Sequence, residues 1–231
     1  MRLPLGLATL TAAWWSLPAL ACHVPAIAAA LRVPRRMDAG GVALTFDDGP
    51  HPAGTPAVLA ALDAADARAT FFLVGEQVRR NPRLAAEVAA AGHLIALHGN
   101  RHRSQLRLTP GTLRDDLRRG AAAIEEATGV SPSIYRPPYG IFSAGGIGVV
   151  RDADYAPWLW SRWGRDWRAD ATPEGIAARA TQDLRSGDVV LLHDADHYSA
   201  GGSHRRTAAA LPRILETVAE HGLEPVTLPA G

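Results

Sequence analysis

The chain has 231 residues, a mass of 24.5 kDa and a formal net charge of +1, room for one large domain or an α/β barrel on the small side. That charge balance gives no electrostatic reason to expect nucleic acid or an anionic membrane surface as a partner, and the arginines alternate with acids, as in Arg114-Asp115-Asp116-Leu117-Arg118-Arg119. A single cysteine, Cys22, excludes an internal disulfide and a cysteine metal site or catalytic thiol in the main domain.

In chain order, the first segment stands apart, with no Asp, Glu, Lys or Arg from Leu3 to Leu31. Arg2, the apolar Leu3–Leu17 and then Pro18-Ala19-Leu20-Ala21 resemble the three regions of a secretory signal, with an A-x-A cleavage site before Cys22. Cys22 also admits a lipoprotein reading. The rival is an uncleaved membrane helix, because the stretch exceeds the ~20 residues a span needs, although Pro18 and Pro25 would kink it. An apolar helix packed on the domain is disfavoured, since so long an uncharged stretch is hard to bury on one domain. Residues 1–31 are therefore expected to be a signal peptide or membrane anchor, putting the protein outside the cytoplasm, secreted or anchored at the cell envelope. Residues 32–40, with Pro34 and Arg35-Arg36, read as a linker, and residues 41–231 as the main domain.

From Val42 onward, continuous apolar runs alternate with helical patterns. Strands are expected at Val42–Phe46, Thr70–Val74, Leu94–His98, Ile134–Arg136, around Trp158–Ser161, at Val189–His193 and at Pro225–Leu228. Between them, Thr55-Pro56, Asn81-Pro82, Thr109-Pro110 and Thr172-Pro173 each offer a cap followed by a first-turn proline, and a further helix runs from about Thr207 to Glu220. Gly145, Gly146 and Gly148 weaken the helix expected after the fourth strand. Apolar strands alternating with amphipathic helices argue a parallel sheet buried on both faces, and seven such units would close as a barrel one unit short of the usual eight. An open doubly wound sheet fits the alternation too, but no Gly-rich phosphate loop follows the first strand.

Two clusters carry chemistry. Thr45-Phe46-Asp47-Asp48-Gly49-Pro50 ends the first strand in adjacent carboxylates, and at the strand-to-loop transition both can face one cavity. His98 and His102 lie four residues apart, as if on one side of a helical turn, a spacing that suits two bonds to one metal ion. One carboxylate and two imidazoles leave coordination positions open for water and substrate, and the second carboxylate stays free as a base. Taken singly, Asp-Asp-Gly-Pro is most often a solvated turn and a histidine pair a surface coincidence; the apolar strand leading into each is what joins them.

With Arg136-Pro137-Pro138-Tyr139-Gly140, Asp166-Trp167 and Leu191-Leu192-His193-Asp194, these clusters occur in the order of the five motifs of the polysaccharide deacetylases, the NodB-like domains of carbohydrate esterase family four, which the chain resembles from about Gly41 to its end. The resemblance implies a distorted (β/α)7 barrel and a hydrolase that removes acetyl groups from N-acetylated sugars of a polysaccharide, peptidoglycan or a chitin-like glycan. It implies Asp48, His98 and His102 as ligands of one divalent cation, zinc first by ligand type, with cobalt, nickel or iron also suited. Asp47 matches the general base, its pKa expected to be drawn down beside a dication, with Arg136 as charge partner. His193 matches the general acid, oriented by Asp166. Trp167 and Leu191 would wall the acetyl pocket, and the backbone N–H of Tyr139 would complete an oxyanion hole, its side chain serving packing. The implied partner is an acetylated polysaccharide bound by a monomer, with membrane association through residues 1–31 and no nucleic acid.

Departures and alternatives remain. Gly99 stands where the family usually carries Ser or Thr, and Trp163-Gly164-Arg165 replaces an acidic residue often found upstream of Asp166. An O-acetyl esterase on xylan-like material is the second reading. From another class, a 2-His-1-carboxylate iron oxygenase uses the same ligand types but has no need of Asp47 or His193. A His-Glu-x-x-His protease is disfavoured because Gly99 occupies the Glu position. His51 reads as a solvated turn, His93 as structural, and Asp194, Asp196 and His197 as the start of a surface or lid loop over 195–205.

Overall fold

The protein is described by a computed structural model covering residues 14–38 and 40–229. The described residues form eight strands: β1 (Val42–Asp47), β2 (Thr70–Leu73), β3 (Leu94–Leu97), β4 (Ile134–Tyr135), β5 (Ala156–Pro157), β6 (Arg162–Trp163), β7 (Val189–His193) and β8 (Pro225–Val226). They pair in the order β5-β4-β3-β2-β1-β7-β6, all parallel, with β8 alongside the start of β1. Helices separate the strands except between β5 and β6, and the curled sheet is the expected α/β barrel in distorted form.

The expected strand around Trp158–Ser161 is instead the joint between β5 and β6. Trp158 donates its N–H to the Tyr135 carbonyl at 3.0 Å, and Ser161 donates to Val189 at 3.0 Å. This short piece therefore leaves β4 and arrives at β7, and the barrel is closed by covalent chain rather than by a ladder. Ala156 and Trp158 supply the N–H groups that face β4, so the missing N–H of Pro157 falls on the side away from β4, where no ladder forms.

Helix signals are read mostly as expected. Thr109 caps the Pro110–Thr128 helix, accepting from the Thr112 N–H at 3.2 Å, and Thr172 caps Pro173–Thr181 in the same way. Thr55 differs: the helix starts at Gly54, and the Thr55 hydroxyl turns inward to donate to the Asp194 carboxylate at 2.5 Å. The glycines near 145 do not prevent a helix over Ala144–Asp152, since Ser143 caps it and Gly146 lets Gln105 approach where a Cβ would collide.

The pleat sorts side chains between core and cavity. Thr45 pairs with Leu191 and Asp47 with His193, so these four share the inner face of β1 and β7, while Leu44, Phe46, Val190 and Leu192 alternate outward into the helix layer.

Part of the N-terminal region expected to leave the domain is packed on it. Ala21, Cys22 and Ala28 are buried, and Arg35 donates from Nε to the Trp160 carbonyl at 2.9 Å and from Nη2 to that of Cys22 at 3.2 Å. The stretch is short and made largely of small residues, so it fits in a crease that a long apolar helix would not. Residues 1–13 of the signal or anchor reading lie outside the described residues. Among the described residues no helix is long and apolar enough to cross a membrane. Residues 32–38 of the expected linker are held to the domain, as Val33 and Met37 join the core.

Arg36 also reaches the barrel bottom, where the fully buried Asp188 accepts from Arg36 Nη1 at 2.9 Å, Ser161 Oγ at 2.6 Å and Arg162 Nε at 3.2 Å. One carboxylate thus ties the N-terminal region and the closing joint to β7. Asp188→Ala is expected to destabilise the fold by about 2–3 kcal/mol through lost charge-assisted hydrogen bonds, the two arginines turning to solvent. Urea unfolding measures this, and a midpoint equal to that of the unsubstituted protein would show the tie to be idle.

Candidate active site

At the C-terminal ends of the strands a cavity of about 270 Å³ gathers residues from β1, β7 and the loops after β3, β4 and β6. Its floor is polar, with Asp47, Asp48, His98, His102 and His193; its walls are Tyr139, Trp160, Trp163, Trp167, Leu191 and Tyr198, with Cys22 and His23 from the N-terminal region.

Asp48 adopts φ +81°, a left-handed conformation. This turn brings its carboxylate to the same cavity as that of Asp47, which strand alternation would have sent to the opposite face. Gly49 follows because a Cβ there would run into the Asp194 carboxylate. Asp194, held by Thr55, thus acts as the buttress of the carboxylate turn rather than as part of a lid.

Asp47 accepts from Arg136 Nη1 at 2.7 Å. Arg136 is wholly buried and also donates to Thr45 Oγ1 at 2.8 Å and the Leu159 carbonyl at 3.1 Å, its guanidinium 3.9 Å from the Phe72 ring centre. In the polypeptide by itself burial raises the Asp47 pKa, the reverse of the lowering expected beside a dication, and Arg136 is the first group to oppose that rise.

His98 and His102 do meet, but not on a helix. Gly99 has φ +84° and the chain bends rather than coils between them. The bend is held by Asp116, missed in the sequence reading because it looks like one acid of a solvated helix face. It is buried, and it accepts from the Asn100 N–H at 2.8 Å and from Arg103 at 2.8 Å. A Cβ at Gly99 would come within 3.0 Å of that carboxylate. The hydroxyl absent at Gly99 is therefore replaced by a carboxylate reaching in from the Pro110–Thr128 helix.

Both imidazoles present Nε2 to Asp48 Oδ1, at 3.5 Å from His98 and 3.3 Å from His102. His98 Nδ1 lies 2.8 Å from the Arg136 carbonyl, which accepts its proton and leaves the Nε2 lone pair facing Asp48. Burial brings the His98 pKa down to about 3 and depresses that of His102 as well, so both are neutral. Asp48 Oδ1 is buried without a hydrogen bond. Two neutral nitrogens and an unpartnered carboxylate oxygen, the three ligand atoms all within 4.8 Å of one another, form a donor set that fits a divalent cation. His102 lacks a partner on Nδ1 and is clamped by rings instead, stacked on Tyr198 at 4.2 Å and met edge-on by Tyr139 at 4.4 Å. The Tyr139 side chain, expected as packing, is 55% exposed at the lip.

His193 ends β7 opposite this group. Asp166, fully buried, accepts from its backbone N–H at 2.7 Å and sits 2.9 Å from Nδ1, while Thr207 donates to the same carboxylate at 2.8 Å. Burial alone would lower the His193 pKa, but Asp166, then Asp48 and Asp47, bring it up to about 10. Its ring meets Trp167 edge-on at 5.5 Å, and Leu191 lies two residues back on the same face.

His93 and His51 are structural. His93 is buried against Phe71 and accepts from the Ala69 N–H at 3.3 Å. His51 is not a solvated turn: its Nδ1 accepts from the N–H groups of Ala53 and Gly54, at 3.2 and 2.9 Å. Nε2 must then carry the proton it turns to Asp196, 3.2 Å away, so the cluster of His51, Asp196 and His197 is a hydrogen-bonded tie rather than a set of lone pairs.

The chain matches the polysaccharide deacetylase family over residues 35–158. It is 36% identical over 189 residues to a peptidoglycan-N-acetylglucosamine deacetylase of Bacillus cereus, covering 81% of this chain and 85% of that one. It is 33% identical to a chitooligosaccharide deacetylase of Bradyrhizobium, covering 81% of this chain and 89% of that one. A crystal structure of a peptidoglycan N-acetylglucosamine deacetylase, in complex with a naphthalenyl-N-oxidanyl-benzamide, superposes with a TM-score of 0.78 at 27% identity, covering 85% of this chain and 90% of that one.

Asp48→Ala, His98→Ala or His102→Ala is expected to abolish zinc binding with the fold retained, and Asp116→Leu to weaken it about 10- to 100-fold by freeing the histidine bend. Titration calorimetry with zinc, alongside circular dichroism, measures both. Unaltered affinity in all the ligand variants would overturn the ligand set.

Proposed function

Because the chain belongs to the polysaccharide deacetylase family, a family of metal-dependent hydrolases, we propose that this pocket hydrolyses the acetamide of an N-acetylated sugar in a cell-envelope glycan, peptidoglycan first and a chitin-like glycan second. The observation that carries the reading is the opposition, across one small cavity, of an arginine-held carboxylate and a carboxylate-held imidazole.

Asp48, His98 and His102 would hold the divalent cation, zinc first by donor type, which when bound supplies Lewis acidity toward a water and the acetyl oxygen. Asp47 takes a proton from the attacking water, and Arg136 fixes the carboxylate oxygen that is not used. The water oxygen bonds to the acetyl carbon, and the backbone N–H of Tyr139 helps bear the charge on the acetyl oxygen. The C–N bond then breaks, with His193 delivering the proton from Nε2 to the departing nitrogen. Acetate and a free amino sugar result, and return of the proton held by Asp47 to His193, through solvent, restores both groups. Asp166 keeps the imidazole charged and its tautomer defined by holding Nδ1–H. Trp167 and Leu191 enclose the acetyl methyl group. A charged imidazole suits an amide, whose nitrogen cannot leave unprotonated, better than an O-acetyl ester, whose oxygen has less need of a proton.

Asp47→Asn is expected to bind zinc normally and lose about 10²- to 10⁴-fold in turnover on acetylated glycan, measured as acetate release. Turnover near that of the unsubstituted enzyme would place the base elsewhere. His193→Ala should slow amide substrates far more than aryl acetates, which have good leaving groups. Adding Asp166→Asn to His193→Ala should then cost little more, because groups acting as one unit are non-additive. Fully additive losses in steady-state kinetics would make Asp166 a structural residue only.

A further inference from the structure

The cavity has one wall that none of the sequence motifs supplies. Ala21, Cys22 and His23 come from a turn far upstream, yet Cys22 and His23 line the pocket together with Tyr139, Trp160, Trp163 and Trp167. The turn enters through a gap left by Gly140, where a Cβ would stand 3.0 Å from Cys22 Cβ and run into Trp160. Arg35 fastens both sides of that gap, donating to the carbonyls of Cys22 and Trp160 at once. The Cys22 thiol points inward, 4% exposed and 3.4 Å from the Ala19 carbonyl. A diacylglycerol thioether could not be accommodated on a sulfur so enclosed.

The place of this wall relative to the reacting groups is defined by a run of aromatic contacts. His193 meets Trp167 at 5.5 Å, Trp167 meets Trp163 at 5.6 Å, and Trp163 meets His23 at 5.5 Å, all edge-on. The run leads from the group facing the departing nitrogen, and the nitrogen stays with the sugar. Beyond Trp167, which encloses the acetyl methyl, Trp163 and His23 continue the cavity wall and offer aromatic surface that suits the C–H face of a sugar ring. His23 stands exposed at the far end, and its ring nitrogens hydrogen-bond no other described residue, which leaves one donor and one acceptor for hydroxyl groups.

Building on the deacetylase reading, we propose that the Ala21–His23 turn is a resident wall of the sugar subsite, with Cys22 closing the pocket and His23 binding hydroxyls of the acetamido sugar.

Two measurements test this, both on the full chain. Cys22 is the sole cysteine, so its reaction with an aromatic disulfide reagent reports the docked turn directly. The native protein should react at least about a hundredfold more slowly than the urea-unfolded chain; equal rates would overturn the wall whatever the enzyme's activity. His23→Ala should lower kcat/KM on N-acetylchitotriose about tenfold more than on an aryl acetate, chiefly through KM, and His23→Asn should recover part of the loss. Equal losses on both substrates, or none, would remove His23 from the sugar subsite. If the unsubstituted protein hydrolyses neither substrate, the deacetylase reading fails and the sugar-subsite role of His23 fails with it, while thiol protection still decides the wall.

Discussion

A guanidinium buried in the middle of a barrel is the constraint on which the rest of this structure depends. Arg136 is 0% exposed, and a charge so placed is tolerated only when it is paired and its donors are met. Its partners come from β1 (Thr45 and Asp47) and from the joint between β5 and β6 (Trp158 and Leu159), and β2 supplies the Phe72 ring against its face. Its own carbonyl fixes the tautomer of His98. Closing the barrel and orienting the pocket groups are thus largely one event. A change that opened the closing joint would leave the charge without acceptors and the Asp47 carboxylate without its tether.

The cavity that results is overloaded with acid. Asp47, Asp48, Asp166 and Asp194 are all buried around it, against Arg136 and His193. Asp47 and Asp166 each have a strong partner. Asp48 has none on Oδ1, and burial drives its pKa up to about 7, opposed by His193 and reinforced by the neighbouring acids Asp47, Asp194 and Asp166. An uncompensated carboxylate beside two neutral imidazoles is electrostatically unfinished, and a dication would complete it. The two adjacent aspartates of one motif therefore differ in character because of what surrounds them.

Local departures are compensated across the fold. Gly99 lacks the expected hydroxyl, and Asp116 supplies the acceptor from a helix distant in sequence. His102 lacks a hydrogen bond to position its ring, and Tyr198 and Tyr139 hold it between aromatic surfaces. Tyr198 is itself anchored, donating to Glu76 and accepting from Gln77.

What the sequence by itself determined are the features that depend on neighbours in the chain. Short continuous apolar runs located β1, β2, β3 and β7, and threonine-proline pairs located helix starts, because both signals act over a few residues. The ends of β1, β3 and β7 likewise marked Asp47, Asp48, His98 and His193 as groups that could converge. Only the tertiary structure decided what depends on long-range contact: that Asp48 turns into the cavity through a left-handed backbone, that His98 and His102 meet in a bend rather than on a helix, that Asp116 and Asp194 are internal supports, and that Trp158–Ser161 is a joint. It also decided that Cys22 and His23 face the pocket. An uncharged N-terminal run reads the same whether it enters a membrane or fills a crease, because hydrophobicity registers the loss of water and not what replaces it.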